Sequence, residues 1–358
     1  MALSKLAKLY AKHPEFYRLH LQKYNQAIAP FLLISAEPLI IYTPSTLVEL
    51  LYASLEPIYN HLQDESAYFL KSWYWDMETP SDVEELKNLE NIHINKYPKH
   101  QFIHLCNTLP QQEIFLKYKL KALFCNQNCL IDDSIFRPIS SIAKVFDAIY
   151  DAKLTAFKRH YLAQKIDSIA FIYYYNPLVD SATYQEVKSL FPQAHYFNEN
   201  LAEKGYVLLS PERVNECLNL CRVGLCLSSV EGAMYASIQY LLSGLPVVST
   251  QSKGGRDVFF DPEYTLIVDD DPDVVKEGVD EMIRRNIPPE TIRSKVLDKI
   301  REHRLVLIQL VQSIYDRENV DRDFSQEWEQ IFTNKLIKLQ SPQEVIKQLE
   351  LARPSHAP

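Results

Sequence analysis

The residues best suited to chemistry lie in one stretch, SSVEGAMYASIQYLLSGLPVVSTQSKGGRDV, which runs from 228 to 258. The chain has only 7 glycines in 358 residues, and five of them lie between positions 224 and 255. Because glycine permits unusual backbone angles and close approach to a ligand, this concentration indicates a specialised loop structure, with two ordinary turns as the alternative. Lys253 and Arg256 flank the Gly254–Gly255 pair. Backbone N–H groups beside positive charge are the chemistry of an anion site.

Strand and helix patterns place this stretch at the carboxyl ends of strands. VGLCLS (223–228) and PVVST (246–250) have the composition of buried strands, and helical spacing predicts a helix over 231–243 between them. Glu231 would open that helix after a serine cap, and Gly244 would close it in a left-handed conformation. In open α/β sheets, ligands bind at the carboxyl ends of the strands. The start of this helix and the double-glycine loop are therefore candidate ligand contacts.

The same alternation of strands and helices extends along both halves of the chain. Such alternation is typical of parallel sheets that are covered by helices on both faces. The sequence therefore predicts an α/β protein with two Rossmann-like domains, residues 1–165 and 166–320, that face a cleft. Helices over 321–358 would cross back to the N-terminal domain. The predicted strands are PLIIYTP (38–44), AYFLKSWYW (67–75), FIHLCNT (102–108), ALFCNQN (122–128), SIAFIYYY (168–175), AHYFN (194–198), YVLLS (206–210), VGLCLS, PVVST and YTLIV (264–268), and a long helical stretch is predicted over 140–166.

Composition excludes several classes of protein. A net charge of −8 at pH 7 argues against a general nucleic-acid binder, which would present a dominant basic surface. The 6 cysteines form no Cys-x-x-Cys pair, so reduced thiols in a cytoplasmic protein are expected rather than zinc or disulfides. No signal peptide is evident, and the most apolar run, IAPFLLISAEPLIIY, is broken well short of a membrane span. The basic segment 1–23 would make at most peripheral contact with a membrane, and a solvated helix is the favoured interpretation.

The stretch SSVEGAMYASIQYLLSGLPVVST resembles the S-x-x-E-G-x-x-x-x-x-x-E-A-x-x-x-G-x-P-V-V signature of family 4 (group 1) glycosyltransferases, which have the GT-B fold. The following KGGRDVFFDPEYTLIV is similar to the double-glycine loop that comes next in that family. The resemblance covers about forty residues. It implies a retaining transfer of a sugar from a nucleotide-diphosphate sugar to an acceptor, with no metal and no cofactor besides that donor. On this resemblance, the domain of residues 1–165 would bind the acceptor and the domain of residues 166–320 would bind the nucleotide sugar. A GT-B epimerase of nucleotide sugars and a catalytically weakened binding subunit remain alternatives.

The resemblance also implies roles for individual residues. Glu231 would lie beside the donor sugar, and Gln239 stands where the family has a second glutamate that holds the ribose. Relatives place an arginine and a lysine after the first strand of the C-terminal domain, but the strand predicted at 168–175 is followed by neither. Lys158 and Arg159, with the neighbouring His160, are the substitutes, and an exposed basic helix face is the alternative. The remaining donor contacts would be Ser229, Gly232, Ala233, Lys253, Gly254, Gly255 and Arg256.

Three weaker signals complete the set. Asn126 and Asn128 follow a predicted strand of the N-terminal domain and could hold an acceptor, although a polar turn is the favoured interpretation. His100 could serve as an acceptor contact, although a histidine beside a strand is more often structural. The run DDDPD (269–273) could suggest a metal site, but an aspartate cap followed by Pro272 in the first helical turn explains it better.

Overall fold

The computed structural model describes residues 29–45, 55–174, 181–200 and 205–352. The basic N-terminal segment and the last residues of the chain therefore lie outside the described residues. The strands are β1 (Ala29–Ala36), β2 (Leu39–Ser45), β3 (Ala67–Trp73), β4 (His100–Cys106), β5 (Ala122–Phe124), β6 (Phe146–Asp151), β7 (Ile169–Ile172), β8 (His195–Tyr196), β9 (Glu199–Asn200), β10 (Gly205–Tyr206), β11 (Cys221–Cys226), β12 (Val247–Thr250), β13 (Thr265–Val268) and β14 (Lys338–Gln340). The helices are α1 (Glu56–His61), α2 (Pro80–Lys96), α3 (Leu109–Lys117), α4 (Ser181–Leu190), α5 (Pro211–Asn219), α6 (Tyr235–Leu242), α7 (Pro272–Arg285), α8 (Pro289–Arg317), α9 (Phe324–Ile331) and α10 (Pro342–Ala352).

The chain divides into two compact units. The first comprises Met1–Leu130 together with His303–Pro358, and the second comprises Ile131–Glu302. The C-terminal part of the chain thus returns to the first unit from within α8, earlier than the predicted position 321. The break between the units also comes earlier than the predicted position 165.

The first unit is built on a six-stranded sheet with the order β14-β1-β2-β3-β4-β5. Strands β2 to β5 are parallel, whereas β1 is antiparallel to both β2 and β14. All seven residues of β3 are buried. The segment 338–340, which was predicted to be helical, forms the edge strand β14 instead. Pairing with β1 explains this, because an edge of the sheet supplies backbone partners that the sequence alone does not reveal.

The second unit contains a fully parallel six-stranded sheet with the order β13-β12-β11-β6-β7-β8. Strand β6 comes first along the chain and lies in the middle of the sheet. Its successor β7 pairs on one side and β11 on the other. The strand order therefore reverses between β6 and β11, and this switch point is where open α/β sheets bind ligands.

The predicted helix over 140–166 is wrong. Its centre is β6, with Ala148, Ile149 and Tyr150 fully buried between two neighbouring strands. A central parallel strand has two buried faces, so its apolar residues do not alternate and periodicity cannot distinguish it from a helix. Two short 3₁₀ turns, 156–158 and 160–163, follow the strand. This correction also moves the start of the second domain's sheet to 146.

None of the helices within the described residues is both long enough and apolar enough to cross a membrane.

Candidate active site

Two loops at the carboxyl ends of β11 and β12 are joined by backbone hydrogen bonds. The N–H of Glu231 donates to the carbonyl of Lys253 (3.0 Å), and the N–H of Lys253 donates to that of Ser229 (2.9 Å). The N–H of Gly255 donates to the carbonyl of Gly232 (2.7 Å). The double-glycine loop therefore fixes the backbone of Glu231. The prediction that the Gly255 amide contacts the donor is wrong, because the amide is bonded to the carbonyl of Gly232.

Gly254 makes this joining possible. Its φ is +90° with ψ at −168°, a conformation that is essentially restricted to glycine. A Cβ atom at this position would overlap the carbonyl oxygen of Glu231. Gly244 likewise has the left-handed conformation predicted for a residue that follows a helix, with φ at +75°. Two of the clustered glycines are thus explained by the backbone itself.

Helix α6 begins at Tyr235 and not at Glu231, so the predicted start of the helix is wrong. The residues before it pair with the double-glycine loop, and this pairing takes up the backbone groups that a helical turn would need. Ser228 consequently does not cap a helix. Its hydroxyl donates to Oε1 of Glu231 at 2.5 Å. The helix has Met234 at its N-cap position, with no hydrogen bond from that side chain, so its first turn has no side-chain cap.

Glu231 forms a buried ion pair with Lys158. The Nζ of Lys158 donates to Oε1 of Glu231, and the two residues are only 8% and 5% exposed. Two charges this far from water are stable only when they are paired and hydrogen-bonded, and here Ser228 supplies an additional donor. The pair lies beside the switch point between β6 and β11, because Lys158 follows β6 and Glu231 follows β11. The structure thus brings together two residues that the sequence singled out separately.

Basic residues follow the first strand of the second unit's sheet. The sequence had placed this strand at 168–175, but the first strand of this sheet is β6, which ends at Asp151. Lys153 follows that strand by two residues, and Lys158 comes five residues later. The segment after 168–175 therefore follows the second strand of this sheet and not the first, because β6 had been predicted to be helical. Lys153 was missed for the same reason, and its position just beyond a buried apolar run was the signal that could have identified it.

Arg159 reaches across the carboxyl ends of the three neighbouring strands β11, β12 and β13. It has a left-handed conformation (φ +52°) between the two 3₁₀ turns. Its Nε donates to the carbonyl of Leu227 (2.6 Å) and its Nη2 to Oγ1 of Thr250 (2.7 Å). Its Nη1 pairs with Oδ2 of Asp270 at 2.5 Å. The alternative of an exposed basic helix face is therefore wrong, since Lys158 and Arg159 both turn onto the sheet.

His160 cannot contribute positive charge at neutral pH. It is buried, and burial together with the nearby charge of Lys158 lowers its pKa to about 3. Its ring lies against Tyr150 and Phe171 with centroid distances of 5.0 and 6.1 Å. His160 is therefore a neutral residue of the core.

Arg256 has a structural role in this arrangement and does not face a ligand. It is fully buried, and all five of its N–H groups are used. Nε donates to Asp257 (2.6 Å), Nη1 to the carbonyls of Cys226 and Ser228, and Nη2 to Oγ of Ser249 and the carbonyl of Thr250. The guanidinium thus ties the end of β11 to the end of β12 and supports both loops of the site.

Three of the remaining residues that were predicted to contact the donor have side-chain polar groups that are unpaired or exposed and could bind a ligand. Gln239 lies on α6 and is 8% exposed, and no residue of the described ranges bonds its side-chain amide. Lys253 and Ser229 are exposed beside Glu231, and within the same ranges the Lys253 ammonium has no partner. Ala233 is half-buried just before the helix.

The predicted acceptor residues belong to the first unit, and all three are buried in its hydrogen-bond network. Asn126 donates to the carbonyl of Asn107 (2.9 Å) and accepts from the N–H of Asn128 (2.9 Å), and both are fully buried. His100 lies at the amino end of β4, hydrogen-bonded to His93 (3.0 Å) and to the carbonyl of Leu62 (3.1 Å). The favoured alternatives, a polar turn and a structural histidine, match these placements.

The acidic run DDDPD contains a helix cap, as the favoured interpretation held. Asp271 accepts from the N–H groups of Asp273 (2.8 Å) and Val274 (3.2 Å), and Pro272 begins α7. Asp270 instead pairs with Arg159.

Comparison with known proteins identifies the fold. No protein-family model matches the sequence, and no curated protein matches it either. Among solved structures, sucrose-phosphate synthase from Thermosynechococcus elongatus is similar with a TM-score of 0.54 and 13% identity, over 78% of this chain and 74% of that one. HepE from Anabaena in complex with UDP-glucose is similar with a TM-score of 0.53 and 10% identity, over 77% of this chain and 78% of that one. At such identities the likeness concerns architecture, and the architecture is the GT-B fold of glycosyltransferases.

Proposed function

We propose that this chain is a glycosyltransferase that transfers a sugar from a nucleoside-diphosphate donor to an acceptor. The observation that carries the proposal is the buried Lys158–Glu231 pair at the switch point of the second sheet. The ammonium can bind the diphosphate of such a donor, and the neighbouring carboxylate can bind its sugar hydroxyl groups. The GT-B architecture and the similarity to HepE, whose structure holds UDP-glucose, support a UDP sugar as the first donor to test.

The positive charges would stabilise the leaving group. When the bond between the anomeric carbon and the diphosphate oxygen breaks, the electron pair remains on the diphosphate, and preorganised cations lower the energy of that developing charge. Lys158 is held in place by Glu231, and Arg159 by Leu227 and Thr250. Neither needs to reorganise when the charge appears, which is the condition for effective electrostatic catalysis. With these groups in place, we expect the diphosphate to bind without a divalent metal.

Glu231 would orient the donor sugar by accepting hydrogen bonds from its hydroxyl groups. Its Oε1 is occupied by Lys158 and Ser228, which leaves Oε2 for the sugar among the described contacts. Gln239 would bond the ribose with its unpaired amide. On the retaining mechanism that the family resemblance suggests, the acceptor oxygen bonds to the anomeric carbon and its proton passes to the leaving phosphate. No enzyme nucleophile is then required.

The test is to incubate the protein with a panel of UDP and GDP sugars and to follow the products by NMR. The proposal predicts release of nucleoside diphosphate, by transfer when an acceptor is present and slowly to water when none is. Interconversion of two sugar nucleotides would indicate an epimerase, and binding without turnover would indicate a binding subunit. Either result would contradict the proposal.

A matched pair of variants locates the activity. Glu231→Gln should abolish turnover, because the amide cannot serve as the charged partner of Lys158, and circular dichroism should show a protein that is still folded but less stable than the wild type. Glu216→Gln is the control, since this exposed carboxylate pairs only with Arg213 on the surface of α5. Equal activity in the two variants would place the reaction elsewhere.

A further inference from the structure

Asp270 has no role in the proposed reaction, but its carboxylate pairs with Arg159. The ion pair joins Nη1 of Arg159 to Oδ2 of Asp270 at 2.5 Å. The Arg159 side chain is 14% exposed, and that of Asp270 is 52% exposed. Arg159 is thus mostly buried within the site, whereas the carboxylate of Asp270 is about half exposed to solvent.

The position of Arg159 does not depend on Asp270. Its Nε and Nη2 are bonded to the carbonyl of Leu227 and to Oγ1 of Thr250, both buried groups at the ends of neighbouring strands. These two contacts hold the plane of the guanidinium. Loss of the Asp270 contact would therefore free one edge of Arg159 without releasing the side chain.

Three of the cations around the two loops are paired with acids, whereas the exposed Lys253 ammonium has no partner within the described residues. Lys158 pairs with Glu231, Arg256 with Asp257 and Arg159 with Asp270, and the exposed fractions of the acid side chains are 7%, 27% and 52% respectively. A diphosphate that binds Lys158 or Arg159 must compete with the acid that pairs with it. Asp270 can return to water at the lowest cost, because it is the most hydrated of the three and desolvation scales with burial.

We infer that Asp270 is a displaceable stand-in for a donor phosphate, which holds the free edge of Arg159 until the diphosphate arrives and pairs with it again when the product leaves. This inference rests on the proposed function and adds a control on product release. An acid that competes for Arg159 weakens the binding of every nucleoside diphosphate and so shortens the time that the product stays bound.

The experiment compares the affinities of the wild type, Asp270→Asn and Asp269→Asn for UDP and for inorganic pyrophosphate by calorimetry. Asp269 is the matched control, since it is an exposed neighbour with the same charge and makes no contact with Arg159. Asp270→Asn should bind both probes roughly twofold to fivefold more tightly, the range expected for a partly exposed ion pair. Asp269→Asn should bind like the wild type. The gain should shrink as NaCl is raised, because salt screens an exposed charge.

The dissociation rate of UDP, measured by stopped flow, should fall in Asp270→Asn by about the same factor as the affinity rises. Equal affinities in the two variants, or weaker binding in Asp270→Asn, would overturn the stand-in role while leaving the proposed function intact. If the wild type binds neither probe, the proposed function fails and the inference fails with it.

Discussion

Gly254→Ala tests whether the joined loops position Glu231. Glycine at this position has φ +90° and ψ −168°, and an alanine there costs about 1–3 kcal/mol of backbone strain. The added methyl group would also overlap the carbonyl oxygen of Glu231. Non-bonded atoms need about 3.5 Å of separation, so the two loops must move apart by roughly 2 Å.

That displacement would act directly on the reacting groups. Glu231 is linked to the double-glycine loop through its own N–H, so moving one loop moves the carboxylate away from Lys158. A misplacement of about 1 Å in an active site can reduce the rate about a hundredfold. We therefore expect Gly254→Ala to lower donor turnover by about two orders of magnitude and the free energy of unfolding by at least ~1 kcal/mol.

The assay is release of UDP from the preferred donor, together with urea unfolding of the same preparation. Gly278→Ala is the control, because this glycine lies in α7 and outside both loops. An added Cβ would lie 3.2 Å from the Val248 and Val268 side chains, so these neighbours must shift by a few tenths of an ångström, and this crowding opposes the helix propensity that alanine adds. We expect its turnover to equal that of the wild type and its stability to change by less than about 1 kcal/mol. If Gly254→Ala retains turnover within twofold, the joined loops do not position Glu231 and this reasoning is refuted.

Substitutions at four further residues test other parts of the molecule. Arg256→Lys should lower the free energy of unfolding by about 3–5 kcal/mol, because it leaves buried carbonyls at two strand ends without donors; a loss below about 1 kcal/mol in urea unfolding would contradict its structural role. Gln239→Glu should raise calorimetric affinity for UDP by up to about tenfold and Gln239→Leu should lower it, since a charged acceptor bonds ribose hydroxyls more strongly; equal affinities would mean that this side chain does not face the ribose. His160 is neutral in the folded protein, with a pKa of about 3 against the usual 6.5, and gains its proton on unfolding between these values. Stability should therefore fall as the pH drops below 6.5, by about 2 kcal/mol from this residue between pH 7 and 5, and His160→Phe should remove that share of the pH dependence in urea titrations. Lys71→Met should raise the free energy of unfolding by about 1–3 kcal/mol, because burial lowers the pKa of this fully buried amine and no described residue bonds it. A lower melting temperature than that of the wild type would contradict this.

Much of the fold could be predicted because most strands are short runs of apolar residues between turn formers. Strands β3, β4, β7, β11, β12 and β13 all lie within or close to the predicted ranges. Strand β6 could not be recognised in this way. Its two buried faces remove the alternation that marks a strand, and its partner β11 is far away in sequence.

The candidate site could be predicted in its residues but not in its geometry. Residue pattern together with the family resemblance singled out Glu231, Lys158 and Arg159. Their contacts depend on the pairing of β6 with β11, which no local pattern encodes. Arg256 shows the converse error, because a basic residue in a glycine loop suggests an anion contact. Its burial follows only from the neighbouring ends of β11 and β12.

The most direct test of the central claim is the position of the nucleotide in a crystal structure of the protein with UDP. We expect the diphosphate at the carboxyl ends of β6 and β11, with a phosphate oxygen within about 3 Å of Nζ of Lys158. The ribose should lie against α6 near Gln239. A nucleotide bound elsewhere on the chain, or with its phosphates out of hydrogen-bonding reach of both Lys158 and Arg159, would contradict the account.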